Sequence, residues 1–294
     1  MINLNSGDVY AILTAFCWSF AVILFDISSK KLNSLQMSFI KNFIGVLGFI
    51  LTVIILNLPL PDFSIKEIIS LLFSGFIGVA VADLLFLNSL TKLGSGLSAI
   101  VATIYSPIIF LFSFLMFGET ISTETYIGGV LVICGIGIST FRMPIIKDKK
   151  IILFGVIFGI FAQVLTAYSV LLVKPIMKEH SIIYIALYRF SIGLFCTLLF
   201  LLFKTNLVDV FKTLNRGLNT ITIILGSFLG TYLSVIFWLA GFKYTISGRA
   251  AIYNQLSTIL IIVLAFFILK EPMSKKKWFG VLLSITGALL VSLS

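Results

Sequence analysis

The sequence predicts an all-α integral membrane protein with ten transmembrane helices arranged as two inverted five-helix repeats. Three observations predict it: an excess of apolar residues, their division into runs of bilayer length, and a self-similarity half a chain apart. Of 294 residues, 60% are hydrophobic and 11% charged, and the mean hydropathy is +1.17. A soluble domain is about a quarter charged. A water-soluble fold could not hide this much apolar surface, so the bilayer must be the solvent for most of it.

A span needs about 20 mostly apolar residues. Ten runs meet that need: about 9–25, 36–57, 68–90, 96–117, 123–141, 151–173, 182–203, 218–242, 250–269 and 278–293. They are continuously apolar, without the alternation of a membrane barrel strand. The longest loops fall near 58–67 and 204–217, and no segment reads as a soluble domain. The N-terminal MINLNSGD lacks a basic n-region, so no cleavable signal is expected.

The net charge is +10. Its basic residues are mostly punctuation between apolar runs, such as KDKK at 147–150 and KKK at 275–277. No basic face alternates with aromatics, which argues against nucleic acid as a partner. Cys17, Cys134 and Cys196 lie inside apolar runs, with neither metal-ligand spacing nor a disulfide framework. His180, beside Glu179, reads as a solvated loop residue. Neither cofactor nor metal is implied.

The self-similarity carries the architecture. FGETISTETYIGG at 117–129 and LKEPMSKKKWFGV at 269–281 place Glu119 over Glu271, Ser122 over Ser274 and Gly128 over Gly280, an offset of 271 − 119 = 152. SGLSAI at 95–100 lies over SGRAAI at 247–252, and Gly78 over Gly230. Toward the N-terminus the offset becomes 148, with Gly7 over Gly155, Lys41 over Arg189 and Gly45 over Gly193. The chain therefore divides into two copies, about 1–142 and 150–294. Five crossings are odd in number, so the second copy enters the membrane from the opposite side. Inverted repeats of this kind place a substrate site near the midplane, where the copies meet.

The order of these motifs resembles the EamA-type members of the drug/metabolite transporter superfamily over nearly the whole chain. The matching residues are SG-x-x-AI opening spans four and nine, Pro107, and F-x-x-x-x-E-x-x-S as Phe114, Glu119, Ser122 and again Phe266, Glu271, Ser274. YIGGVLVICGIG and WFGVLLSITGAL also match. AFCWSF is close to the family's tryptophan–glycine pair, although Ser19 replaces the glycine and Thr166 stands for Trp18 in the second copy. The resemblance implies a multi-pass carrier in the cell (plasma) membrane, exporting or exchanging small polar metabolites, amino acids among the candidates.

Candidate site residues follow from the cost of polar groups in a membrane. Asp83 lies well inside span three, over the apolar Val235. It reads either as a protonatable coupling site or as a carboxylate paired with Lys41 or Arg189. Those two cations occupy equivalent places and suit a substrate carboxylate or phosphate, or else snorkel to the interface. Asp26 and Lys174 are also equivalent, at the ends of spans one and six, and read as interfacial.

Positions i, i+4 and i+7 share a helix face. That face carries Ser98, Ala102 and Tyr105 in span four, and Ala250, Asn254 and Ser257 in span nine, flanked by Tyr253 and Gln255. Two polar stripes related by the repeat suit a central substrate pocket. Gln163, Trp18, Tyr168 and Trp238 would supply further walls.

Gly128, Gly135, Gly280 and Gly287 recur every seven residues, which suits a close helix seam, internal or in a homodimer. Glu119 and Glu271 read as caps for the helices that follow them.

No H-E-x-x-H, G-x-S-x-G or G-x-x-x-x-G-K-[ST] motif is present, so neither an enzyme nor an ATP-driven pump is expected. A lipid flippase or a non-transporting scaffold is the competing class. Orientation is in conflict. Loops after odd-numbered spans hold 14 Lys/Arg and the other side five, with Lys41 and Arg189 set aside. The positive-inside rule then puts both termini outside the cytoplasm, whereas the resemblance implies both inside.

Overall fold

The computed structural model describes residues 5–140, 149–268 and 275–291. Among these residues every regular element is helical. In chain order they are α1 (Ser6–Ser29), α2 (Ser34–Ile55), α3 (Ile65–Gly75), α4 (Asp83–Val101), α5 (Tyr105–Phe117), α6 (Thr123–Thr140) and α7 (Lys149–Glu179). Then come α8 (Ile182–Leu202), α9 (Leu207–Leu218), α10 (Ile221–Ser227), α11 (Ser234–Tyr244), α12 (Ser247–Asn254), α13 (Leu256–Ile268) and α14 (Lys275–Val291). Seven helical stretches are long and apolar enough to cross a membrane, with shorter apolar helices at Thr123–Ile136 and Trp278–Val291.

Local sequence sets the boundaries. Asn5 with Asp8, Asn33 with Gln36 and Ser64 with Glu67 each form a reciprocal capping box at the start of α1, α2 and α3. Spans three and four were expected as separate runs, but Ile65–Phe117 is helical almost throughout. At about 1.5 Å per residue, that stretch is far longer than a bilayer is thick. Gly94 breaks it at φ 74°, ψ 172°, a conformation that a side chain would strain.

The stretch 204–217, expected as loop, holds α9. Leu207, Val208 and Phe211 stay exposed while Val210, Thr213 and Gly217 are buried. Gly217 lies against Ile40. The hydrophobic count misses this helix because Asp209, Lys212 and Arg216 dilute it. Its amphipathic pattern suits a membrane–water interface.

Two helices loosen at corresponding points. Phe76–Ala82 and Phe228–Leu233 are π-helical, between α3 and α4 and between α10 and α11. Their starts are 228 − 76 = 152 residues apart. Contacts are exchanged in the same way. A Cβ on Gly230 would lie 2.5 Å from Ala21, and one on Gly78 would lie 2.7 Å from the Cβ of Ser169. Ala21 and Ser169 are themselves 148 apart. Likewise a Cβ on Gly45 would meet Thr231 Cγ2 at 2.6 Å, and one on Gly193 would meet Val79 Cβ at 2.9 Å.

The glycine seam is internal, between α6 and α14. Modelling a Cβ on Gly128 brings it to 2.6 Å from the Gly287 carbonyl, and the reverse substitution gives the same distance. Gly135 sits against Ser284, whose Oγ donates to the Val132 carbonyl at 3.1 Å. These glycines let two backbones touch within one chain, so they supply no argument for a homodimer.

Candidate functional site

A cavity of about 160 Å³ lies at the centre of the bundle. That is room for roughly ten water molecules, the scale of a small metabolite. Its wall draws on α1, α2, α4, α5, α7, α8 and α11 to α13, and on both π segments. π-helical turns are frequent at functional sites. Here each carries a glycine into the wall, Gly78 beside Ser169 and the Arg189 guanidinium, Gly230 beside Trp18.

Nine of the eleven candidate residues line this cavity: Trp18, Lys41, Asp83, Tyr105, Gln163, Arg189, Asn254, Gln255 and Ser257. Ser98 and Tyr253 do not; both are buried among helices beside it. The i, i+4, i+7 stripe is thus off by one turn at its start. The break at Ala102–Ile104, a 3-10 turn, changes the face that span four presents. Trp238 lines the cavity, whereas Tyr168 is exposed outside it, edge-on to Phe112. Phe86, Phe190, Thr14, Thr231 and Ser234 also line it and were not singled out in the sequence.

Three ionisable side chains set the charge of the wall. Lys41 Nζ donates to Asp83 Oδ2 at 2.5 Å, with Lys41 buried and Asp83 keeping 20% of its side chain exposed. Arg189 is 1% exposed. Its Nη2 donates to Ser169 Oγ at 3.2 Å, and its guanidinium lies over the Trp238 ring, 5.5 Å from the centroid. No described residue accepts from its Nε or Nη1. The Trp238 Nε1 donates to the Tyr105 hydroxyl at 3.2 Å. Asn254 ends α12, and neither atom of its side-chain amide has a partner among the described residues.

Gln255 has a different task. Its Nε2 donates to the carbonyls of Ala102 and Thr103, each at 3.2 Å. It thereby ties the break between α12 and α13 to the 3-10 break between α4 and α5. Its Oε1 accepts from Thr258 Oγ1 at 3.4 Å. Although it borders the cavity, its polar atoms are engaged within the protein.

A second polar cluster gathers around the starts of α1 and α12. Asp8, fully buried in the first turn of α1, pairs with Arg249 in the first turn of α12 at 2.8 Å. Glu119 pairs with Lys174, which also donates to Ser247 Oγ at 2.6 Å. Glu119 does cap a helix, but not the one after it. Its Oε2 accepts from the Ser247 amide at 3.0 Å, at the start of α12, while Ser122 caps α6 by accepting from Thr125 N. Burial alone would push the Glu119 carboxyl up. The hydrogen bond and charge of Lys174, with the bonds from Ser247, outweigh that and hold it below the ordinary carboxylate value.

Lys174 is correspondingly buried rather than interfacial. His180, expected in solvent, packs its ring against Phe63 and meets Glu67 Oε1 at 3.2 Å. Glu271 lies outside the described residues.

Comparison with known proteins agrees with this picture. The model of the EamA-like transporter family matches the chain twice, over residues 5–141 and 153–293. The uncharacterized transporter YetK of Bacillus subtilis (strain 168) is 29% identical over 111 residues. That stretch spans 36% of this chain and 34% of YetK, about a third of each. A solved crystal structure aligns over 98% of this chain and 99% of its own, with a TM-score of 0.77 at 14% identity, a likeness of fold alone. With both matches together covering nearly its whole length, this multi-pass membrane chain belongs to the EamA-like transporter family.

Proposed function

We propose that this protein is a secondary transporter, an exporter or exchanger of small polar metabolites, working by alternating access in the plasma membrane. Amino acids are among its candidate substrates. The observation that carries the reading is the central cavity, lined from both halves of the chain and bringing together buried Lys41 and Arg189 and largely buried Asp83. Such groups are costly in a membrane and mark a substrate or ion path.

Ten spans in two inverted five-helix copies, over 1–142 and 150–294, give that path its mechanics. The two π segments and the exchanged glycine contacts support this architecture. Swapping the conformations of the copies would turn a cavity open to one side into one open to the other. In this reading Asp83 is the coupling acid: it faces the cavity and holds Lys41. Trp18, Tyr105, Gln163, Asn254 and Ser257 contact the substrate together with the two cations.

The test is uptake into proteoliposomes of a labelled panel of amino acids, organic acids and sugars, with and without a pH gradient. Saturable uptake that Asp83→Asn uncouples from the gradient supports the reading. A protein that moves no solute, but scrambles labelled lipid, would overturn it in favour of a flippase.

A further inference from the structure

The two symmetry-related cations are not equally paired, and this difference points to the kind of substrate. Lys41 is neutralised by Asp83 at 2.5 Å. Arg189 has no carboxylate within ion-pair reach among the described residues, and its one hydrogen-bond acceptor is a neutral hydroxyl. The charged lining residues are therefore Lys41, Asp83 and Arg189, and their sum is +1 − 1 + 1 = +1. A buried cation without a partner is strongly disfavoured.

This guanidinium is nonetheless held in place from several sides. Trp238 supports its face, Ser169 takes one N–H, and the missing side chain at Gly78 leaves it room, since a Cβ there would lie 3.2 Å from Nη2. A side chain so buried and so positioned, with two donor nitrogens unsatisfied, is arranged for an acceptor that the described residues do not supply.

We infer that the cavity binds a small organic monoanion, its carboxylate docked on Arg189 and the rest of its body against Trp238, Tyr105 and Asn254. This rests on the carrier reading above and narrows it. A single carboxylate cancels the excess charge. A zwitterionic amino acid would leave the +1 in place, because the carboxylate that would receive its ammonium already holds Lys41. A dianion would overshoot and would have to take Lys41 from Asp83. The Tyr105 hydroxyl accepts from Trp238, which leaves its own proton to donate. The two unpartnered amide atoms of Asn254 offer a donor and an acceptor to a hydroxyl or carbonyl on the ligand. Guanidinium geometry suits a carboxylate in a way that a lysine ammonium does not.

The experiment is a binding series on the purified full chain in detergent, read by calorimetry and by thermal shift. The probes are lactate and benzoate as monoanions, alanine and phenylalanine as zwitterions, and succinate and sulfate as dianions. The expected result is that at least one monoanion binds about tenfold or more tightly than the zwitterion of similar size. Arg189→Lys should then weaken it by about tenfold, and Arg189→Gln should remove it. Ser98→Ala, off the cavity, should leave it unchanged.

Equal or tighter binding of zwitterions or dianions overturns the inference. So does a protein that binds none of the acids, or an Arg189→Gln variant that binds as the parent does. Should Arg189→Gln fail to fold, the charge series on the parent and Arg189→Lys decide the matter. Liposome transport separates the two claims. Transport of zwitterions without preference for anions keeps the carrier and removes the subsite. Monoanion binding without transport keeps the subsite and removes the carrier.

Discussion

The side-chain amide of Gln255 donates to the backbone carbonyl of Thr103 at 3.2 Å, 152 residues away in sequence. That separation is the offset at which the two halves of the chain align, so each residue stands at the other's counterpart position. The contact joins two helix breaks, the 3-10 turn at Ala102–Ile104 and the junction of α12 with α13. The cavity sits beside this junction, and so the shape of its wall depends on it.

The neighbours Asn254 and Gln255 should therefore respond differently to truncation. Gln255→Ala removes two hydrogen bonds to the carbonyls of Ala102 and Thr103 and is expected to lower stability by about 1 kcal/mol. Asn254→Ala removes no side-chain hydrogen bond to a described residue and should melt like the parent while binding substrate more weakly. Denaturation in detergent, paired with ligand titration, checks both. A stable Gln255→Ala that has lost only binding would contradict the bracing role.

Lys41 and Asp83 should behave as a unit. Removing one partner leaves an unpaired charge inside the membrane, a loss of about 3–5 kcal/mol by analogy with buried pairs elsewhere. Lys41→Met and Asp83→Leu are each expected to destabilise, and the double variant should recover much of the loss. Additive losses in the double variant would show that the 2.5 Å contact carries little coupling.

Glu119 should give stability an acid limb. Its carboxyl is held below its ordinary value of about 4.3, so the folded state binds the proton less readily than the unfolded chain. The resulting stabilisation is present above that unfolded value and is lost as pH falls through the lower, folded one. Melting temperature should then fall on acidification below about pH 4.3, more steeply in the parent than in Glu119→Gln. That variant should also be less stable at neutral pH, because it strips Lys174 of its counter-charge. Parallel profiles for the two proteins would refute the assignment.

The Asp8–Arg249 pair should have to part during transport. It joins the first turns of α1 and α12, beside the Glu119–Lys174 pair. In a background lacking Cys17, Cys134 and Cys196, Asp8→Cys with Arg249→Cys gives two thiols for a short bifunctional reagent. Cross-linking is expected to abolish uptake into liposomes, and a cleavable reagent should restore it on reduction. Undiminished transport by the cross-linked protein would mean that this pair stays joined throughout the cycle.

Much of the molecule follows from the sequence alone, because its main determinants are local. A 60% hydrophobic chain with apolar runs of bilayer length has to be helical in a membrane, since each helix satisfies its own backbone. The spacing of Glu119 and Glu271, and of Lys41 and Arg189, exposes the self-similarity without coordinates. Asn5, Asn33 and Ser64, each followed three residues later by Asp8, Gln36 or Glu67, mark the starts of α1, α2 and α3 in the sequence.

What only the tertiary structure decided is which polar group meets which. Glu119 serves the start of α12 rather than α6, because that helix end is its neighbour in space. Ser98 turns away from the cavity and Phe86 toward it, because the π segments, the 3-10 turn and the break at Gly94 rotate the faces that an ideal periodicity assigns. The unequal state of the two cations was decided in the same way. Asp83 pairs with Lys41, and Arg189 forms no ion pair among the described residues, a consequence of packing between distant helices that linear spacing does not encode.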